Sequence, residues 1–212
     1  MYLKSKQSLL FMLSMMMLFG SVTLRAETTC KGPGLSMSVV GNYVFLQGNL
    51  CEGDGNKFIK FMSSTAKGIS IVRLDLRGGA GLEAVKIGKY LRSHAMTTWT
   101  DARQDKCASA CNRVFAGGLQ RIYSHANYIT TGKNNNQHFG LGYHHPNVQG
   151  DFRAASSFYH QQIVPYLKET LPPKAFNWVV MTDENNLTYD MIWLNGQQAL
   201  ELGIATSNKA PD

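Results

Sequence analysis

Residues 69–91 read ISIVRLDLRGGAGLEAVKIGKYL. Ile69 to Leu76 is rich in branched side chains and alternates little, the pattern of a strand buried on both faces. It stops at Gly78-Gly79. Beyond the glycines, Leu82, Val85, Ile87, Tyr90 and Leu91 recur at helical spacing against Glu83, Lys86 and Lys89, an amphipathic helix. Strand, glycine turn and helix form the building unit of an α/β fold, and the same order extends outward in both directions. Upstream, Leu35–Val40 and Tyr43–Gln47 read as strands around a Gly41-Asn42 turn. A helix follows over Asn56–Ala66, capped by Asp54, with Phe58, Ile59, Phe61 and Met62 on one face. Downstream the reading is a strand over Met96–Thr100, a short helix over Ser109–Phe115, then strands over Ile122–Thr130 and His138–Tyr143. A long helix over Phe152–Leu171, bent at Pro165, precedes the apolar stretch Trp178–Met181 and a closing helix over Gly196–Leu202. This alternation implies a largely parallel sheet with helices packed on it. Lys133–Gln137 (KNNNQ) reads as an exposed loop.

The chain has 212 residues, 44% of them hydrophobic and 17% charged, enough for one core and too little for two. No internal repeat, low-complexity tract or linker divides it, and the composition excludes a disordered chain and a polytopic membrane protein. The first 26 residues stand apart. Lys4 and Lys6 precede the apolar run LLFMLSMMMLFG at 9–20, and smaller residues follow to Ala26, the pattern of a secretory signal peptide. The run is short for a membrane span, so the expectation is a leader over 1–26 cleaved after Ala26, with an uncleaved anchor as the alternative, a mature domain over 27–212 with no span after cleavage, and a periplasmic or secreted destination. The formal charge of +7 shrinks to +4 once Lys4, Lys6 and Arg25 are set aside. With no basic block, nucleic acid is not an expected partner.

Four cysteines remain, Cys30, Cys51, Cys107 and Cys111, and an even number in an exported chain favours disulfides. Three pairings are open, and the local one, Cys30 with Cys51 and Cys107 with Cys111, is preferred because each pair brackets a compact unit. Free buried thiols are the alternative. A zinc site from Cys107, Cys111 and histidines is weakly signalled, because C-x3-C lacks a second pair; neither a metal nor a cofactor is expected.

Ser109 carries the strongest chemical signal. In Cys107-Ala108-Ser109-Ala110-Cys111 it stands at a strand-to-helix junction, where first-turn amides are unpaired and can hold a developing oxyanion. A serine there is also an ordinary N-cap. Gly78-Gly79 closes another strand with backbone that can approach a substrate, though a glycine pair is common in plain turns. A serine nucleophile needs a base, and His144, after a strand and before His145-Pro146, is placed to face a cleft. Any one of the six histidines could equally serve packing or the surface.

These segments together resemble the Clp protease proteolytic subunit and its exported relatives. The resemblance rests on Gly48-Asn49-Leu50, Gly53-Asp54, Phe58, Leu76-Arg77-Gly78-Gly79, Ala84, Ile87-Gly88 and Cys107-Ala108-Ser109-Ala110-Cys111. It continues through Ala116-Gly117-Gly118, Arg121, Gly142-Tyr143-His144-His145-Pro146 and the closing Trp193-Leu194-Asn195 to Ala205. It implies a crotonase-like α/β domain of repeated ββα units. It further implies Ser109 as nucleophile, His144 as base, and the amides of Gly79 and Ala110 as oxyanion hole. The catalytic acid is the gap in the match: Asp183, Glu184 and Asp190 are all misplaced, and Asp190 is the choice. The activity implied is serine-type endopeptidase action on peptides or unfolded protein, with a homo-oligomer assembled through the long helix after His144. A serine–lysine variant, as in signal peptide peptidase A, finds Lys106 and Lys133 unaligned. A different class of reading is an inactive Clp-like domain that binds a peptide or protein in the periplasm; a third is a disulfide-linked envelope protein without cleft chemistry. A Cys107–Cys111 disulfide would staple the turn that carries Ser109, or gate it by redox state.

Overall fold

In the computed structural model, residue 30 and residues 33–148 and 150–211 are described; the expected leader over 1–26 lies outside them. Strands β1 (Ser36–Val40) and β2 (Tyr43–Leu50) form an antiparallel hairpin whose turn holds Gly41 at φ +57°. β3 (Ile71–Gly79) then lies parallel to β2, and it serves two neighbours. Its first half pairs with β4 (Thr97–Asp101), and Leu76 near its end pairs with Cys107 of β5 (Lys106–Ala108). The sheet forks there. β4 continues to β6 (Gln120–Ser124) in parallel, whereas β5 continues to β8 (Gly140–Tyr143), also in parallel. The short β7 (Gly132–Lys133) and β9 (Ile192–Trp193) close the β8 side as antiparallel strands.

A salt bridge holds the fork. Arg73 on β3 donates from Nε and Nη2 to the two carboxylate oxygens of Asp105, both at 2.8 Å, while Asp105 also accepts from the Asp101 amide. The guanidinium lies over the rings of Trp99, Phe45 and Tyr43, at 4.7, 5.0 and 5.9 Å from their centroids. A planar cation with five fixed donors suits this double duty better than an ammonium would.

The opposite face of the sheet carries Val44, Leu46, Val72, Leu74 and Leu76, all fully buried. They are covered by the helices α1 (Asp54–Ser64), α2 (Gly81–Ser93) and α3 (Cys111–Gly117), through residues that include Phe58, Met62, Ala84, Ile87 and Leu91. The strand–glycine–helix unit read at 69–91 is therefore the centre of the molecule. Beyond α3 come α4 (Ser156–Phe158), a π-helical stretch (Tyr159–Ile163), α5 (Val164–Thr170), α6 (Pro173–Glu184) and α7 (Gly196–Leu202). The result is a mixed α/β single domain around one core.

Several boundaries differ from the sequence reading, each for a local reason. Gly53, at φ +86°, occupies the cap of α1, and Asp54 is its first residue, accepting a 2.7 Å bond from the Cys51 amide. The strand expected to Thr130 ends at Ser124; Ala126 and Ile129 are buried in the loop that follows. The helix expected over 152–171 is helical from Ser156 to Thr170, and its bend at Pro165 takes the form of the π-helical stretch just before it. Proline supplies no amide to the preceding turn, and the widened turn accommodates the loss. Trp178–Met181 belongs to α6, which begins at Pro173, where a proline in the first helical turn forgoes no hydrogen bond. Both disulfides form with the local pairing, Cys30–Cys51 and Cys107–Cys111. No helix among the described residues is long and apolar enough to cross a membrane.

Candidate active site

β5 does not run directly into a helix. Ser109 stands between Ala108, the last residue of β5, and Ala110, the cap of α3, at φ +55°. A side chain in this left-handed region costs about 1–3 kcal/mol, and it persists only where its surroundings impose it. Three constraints do so. The Ser109 amide donates to the Gly142 carbonyl at 2.9 Å, and the Ser109 carbonyl accepts from the Asn112 amide at 3.1 Å and from Arg113 Nη1 at 3.0 Å. Asn112 Nδ2 reaches the same Gly142 carbonyl at 2.6 Å. The Cys107–Cys111 disulfide closes the loop across the serine, with both cysteines fully buried. Ser109 itself is half-buried.

Gly78 packs on this turn. A Cβ there would stand 2.9 Å from Ser109 Cβ and 3.3 Å from its Oγ, so only glycine fits, and φ +115° favours glycine as well. Gly79, at φ +117°, pairs instead with Leu50 in the β2–β3 ladder, and a Cβ there would run into the Leu50 carbonyl. Gly78 is thus the glycine that touches the serine. Ala110 is buried at the start of α3, where its amide has no carbonyl of the same helix to reach.

His144 follows β8 directly, two residues beyond the Gly142 carbonyl that anchors Ser109, so one strand holds the serine's turn and delivers the histidine. The ring is buried, with Nδ1 lacking a hydrogen-bond partner, and the Phe152 ring lies 6.2 Å away with Tyr189 behind it at 5.2 Å. Burial, followed by the nearby Arg113 and His145, pulls its pKa down to about 4, against a weaker opposite pull from the backbone at His145 and Thr188. His144 is therefore neutral at physiological pH, the form a general base requires. His145 is buried against the Tyr159 ring at 4.7 Å, and neither of its ring nitrogens has a partner.

The acid chosen from the sequence is not brought to His144. Asp190 is half-exposed and its carboxylate pairs with Lys133 at 3.5 Å, a solvated contact at the sheet's edge. The lysines considered for a serine–lysine arrangement are engaged elsewhere: Lys133 with Asp190, and Lys106 with the Trp193 ring, 5.8 Å from its centroid. The carboxylate buried in this region is Asp183, on α6, which binds Arg113 Nη2 at 2.5 Å and accepts from Tyr159 Oη at 3.1 Å. Arg113 and Tyr159 are not among the candidates that the sequence alone offers. The signal for Arg113 is a charge beside the apolar run Val114-Phe115-Ala116 on a helix buried all round.

The sheet and helices that carry this turn and this histidine have known counterparts. Solved structures of Clp proteases share the fold. ClpP1 from Listeria monocytogenes superposes with a TM-score of 0.54 at 13% identity, covering 81% of this chain and 92% of that one. A point mutant of the same Listeria protein gives 0.52 at 14% identity, with 80% and 92% covered. The ClpP protease catalytic domain from Plasmodium falciparum gives 0.53 at 11% identity, with 81% and 86% covered. The chain therefore has the Clp protease fold, the fold its sequence segments resemble. No protein-family model matches the sequence, and no curated protein does.

Proposed function

We propose that this protein is a serine peptidase that cleaves peptides or unfolded protein through an acyl-enzyme on Ser109. The observation that carries the reading is the left-handed Ser109 turn, held by the strand from which His144 emerges and pressed upon by Gly78. In the reaction Ser109 Oγ attacks the peptide carbonyl as its proton passes to His144. The amide C–N bond then breaks, and the departing amine takes that proton. Water, deprotonated by His144, releases the acyl group. The Ala110 amide and the glycine strand end are the donors for the oxyanion. With Asp190 turned away and Asp183 held by Arg113, the site works as a serine–histidine dyad, slower than a triad. Two disulfides support a destination outside the reducing cytoplasm, the periplasm or the cell exterior. The fold supports a homo-oligomer, for which size-exclusion chromatography is the check.

One observation favours a second reading, an inactive domain that binds a peptide or protein partner: His144 Nδ1 is unpartnered and Asp190 is turned to Lys133. Labelling with a fluorophosphonate probe separates the two. The wild-type chain is expected to be labelled, Ser109→Ala to be blank, and His144→Ala to react roughly 100-fold or more slowly. A blank wild type would leave the binding reading. In the same assay Gly78→Ala is expected to lose labelling by about 100-fold, because its Cβ displaces Ser109 while most of the core is untouched. Labelling of that variant at the wild-type rate would show that the glycine does not shape the serine's surroundings.

A further inference from the structure

We propose that Arg113 and Asp183 are positioning residues of this site: the Arg113 guanidinium, anchored by Asp183, fixes the Ser109–Ala110 peptide so that the Ala110 amide faces the reacting carbonyl. The proposal rests on the peptidase reading.

The geometry is a chain of buried groups. Tyr159 Oη donates to Asp183 Oδ2 at 3.1 Å, Arg113 Nη2 binds that same oxygen at 2.5 Å, and Arg113 Nη1 donates to the Ser109 carbonyl at 3.0 Å. Tyr166 Oη holds the Arg113 carbonyl at 2.6 Å. The side chains of Arg113 and Asp183 are 2% and 0% exposed, which excludes a solvated surface pair. Burying such a pair is not an efficient route to stability, since apolar side chains of similar volume do as well or better. The end of the chain that is not an anchor is the Ser109 carbonyl.

A peptide group is planar and trans, so its C=O and N–H point in opposite directions. Fixing the Ser109 carbonyl toward Arg113 fixes the Ala110 N–H on the far side of the same plane, the side away from the buried guanidinium. A left-handed residue is the place where that plane flips most readily, because its neighbouring conformations are lower in energy. Arg113 is therefore a lock on the flip. Its charge has a second effect on the same site. The groups facing His144 and His145 are Arg113 from α3, Phe152, the backbone at Thr188, the Tyr159 ring, Asp183, and His160 beyond His145. Arg113 is the permanent cation among them, and it opposes protonation of both histidines.

The test is fluorophosphonate labelling against pH for the full chain and for Arg113→Met, Arg113→Lys and Tyr159→Phe, with backbone amide exchange of residues 108–112 measured in parallel. Arg113→Met is expected to label about 100-fold more slowly on the plateau, with the acid limb of its profile moved to higher pH. Arg113→Lys, which keeps the cation, is expected to leave the acid limb in place and recover part of the rate. Tyr159→Phe, with one anchor removed, is expected to fall between Arg113→Lys and the wild type, and it carries the test should Arg113→Met fail to fold. Unchanged rates and profiles in the folded variants would overturn the proposal. A wild type that is not labelled would defeat the peptidase reading, and amide exchange then decides the lock: faster exchange at Ala110 in the variants upholds it, equal exchange overturns it.

Discussion

Gly117→Val is expected to abolish the folded protein. At the crossing of α2 and α3 the two backbones touch: a Cβ at Gly117 would lie 2.7 Å from the carbonyl carbon of Gly88 and collide with its Cα and oxygen. The reverse holds at Gly88, where a Cβ would lie 2.9 Å from the Arg113 carbonyl oxygen and collide with the Tyr166 hydroxyl. Overpacking by a methylene or two costs about 1–3 kcal/mol when flexible side chains can yield. Here the obstacles are main-chain atoms of Gly88, in the middle of α2, against the last residue of α3, so three added carbons must force the helices apart. A domain whose net stability is of the order of 5–15 kcal/mol does not tolerate that at the centre of its core. The measurement is far-ultraviolet circular dichroism and urea denaturation of any soluble fraction. Gly117→Ala is expected to fold with stability reduced by about 3 kcal/mol. A valine variant that unfolds at the wild-type urea concentration would show that the helices part at little cost. The same crossing serves the site, because it lets Tyr166 Oη reach the Arg113 carbonyl, one end of the chain of bonds that holds Ser109.

The sequence carried the centre of this fold because buried strands and amphipathic helices write their periods directly into 69–91. Ser109 and His144 stand in the structure after β5 and β8; β8 falls within the strand read over His138–Tyr143, whereas the three-residue β5 is too short to read from the sequence. The sequence could not carry the conformation between them. Ser109 read as the first residue of a helix, whereas φ +55° is imposed by groups from Gly142 and Arg113, the first of them on a strand far along the chain. Asp183 is among the three acids the sequence offers but has no element to place it, because only the apolar stretch Trp178–Met181 is read where α6 runs over Pro173–Glu184 and brings the carboxylate to Arg113. Asp190, chosen from three acids none of which lies at the expected spacing, pairs with Lys133 at the surface. Gly88 and Gly117 read as ordinary small residues; their role as the point of closest approach exists only once two helices cross. What escaped the sequence is the set of contacts whose partners are separated in the chain and whose residue types have common uses elsewhere.

His144→Asn is expected to be less sensitive to acid than the wild type, with the difference growing to about 3 kcal/mol between pH 6.5 and pH 4. In the folded chain burial and Arg113 hold the His144 pKa down at about 4, and the ordinary value is 6.5. Below pH 6.5 the unfolded chain takes up a proton that the folded chain refuses, so unfolding gains about 1.4 kcal/mol per pH unit until the folded imidazole also protonates. The stability linked to this group is fully present above pH 6.5 and is lost as pH falls to 4. Asp183 acts in the opposite sense: burial raises its carboxyl to about 6, opposed by Arg113, so the folded chain retains a proton that the unfolded one releases. That contribution is common to the wild type and His144→Asn, and the difference between their urea curves isolates the histidine. Parallel stability curves from pH 6.5 to pH 4 would mean that His144 is solvated enough to titrate normally. The same displacement bears on chemistry. On the peptidase reading proposed above, a base with its pKa near 4 would be unprotonated throughout the neutral range but would draw a proton from serine only weakly, so that reading puts the larger share of the rate on the oxyanion donors and on the turn that Arg113 is proposed to lock.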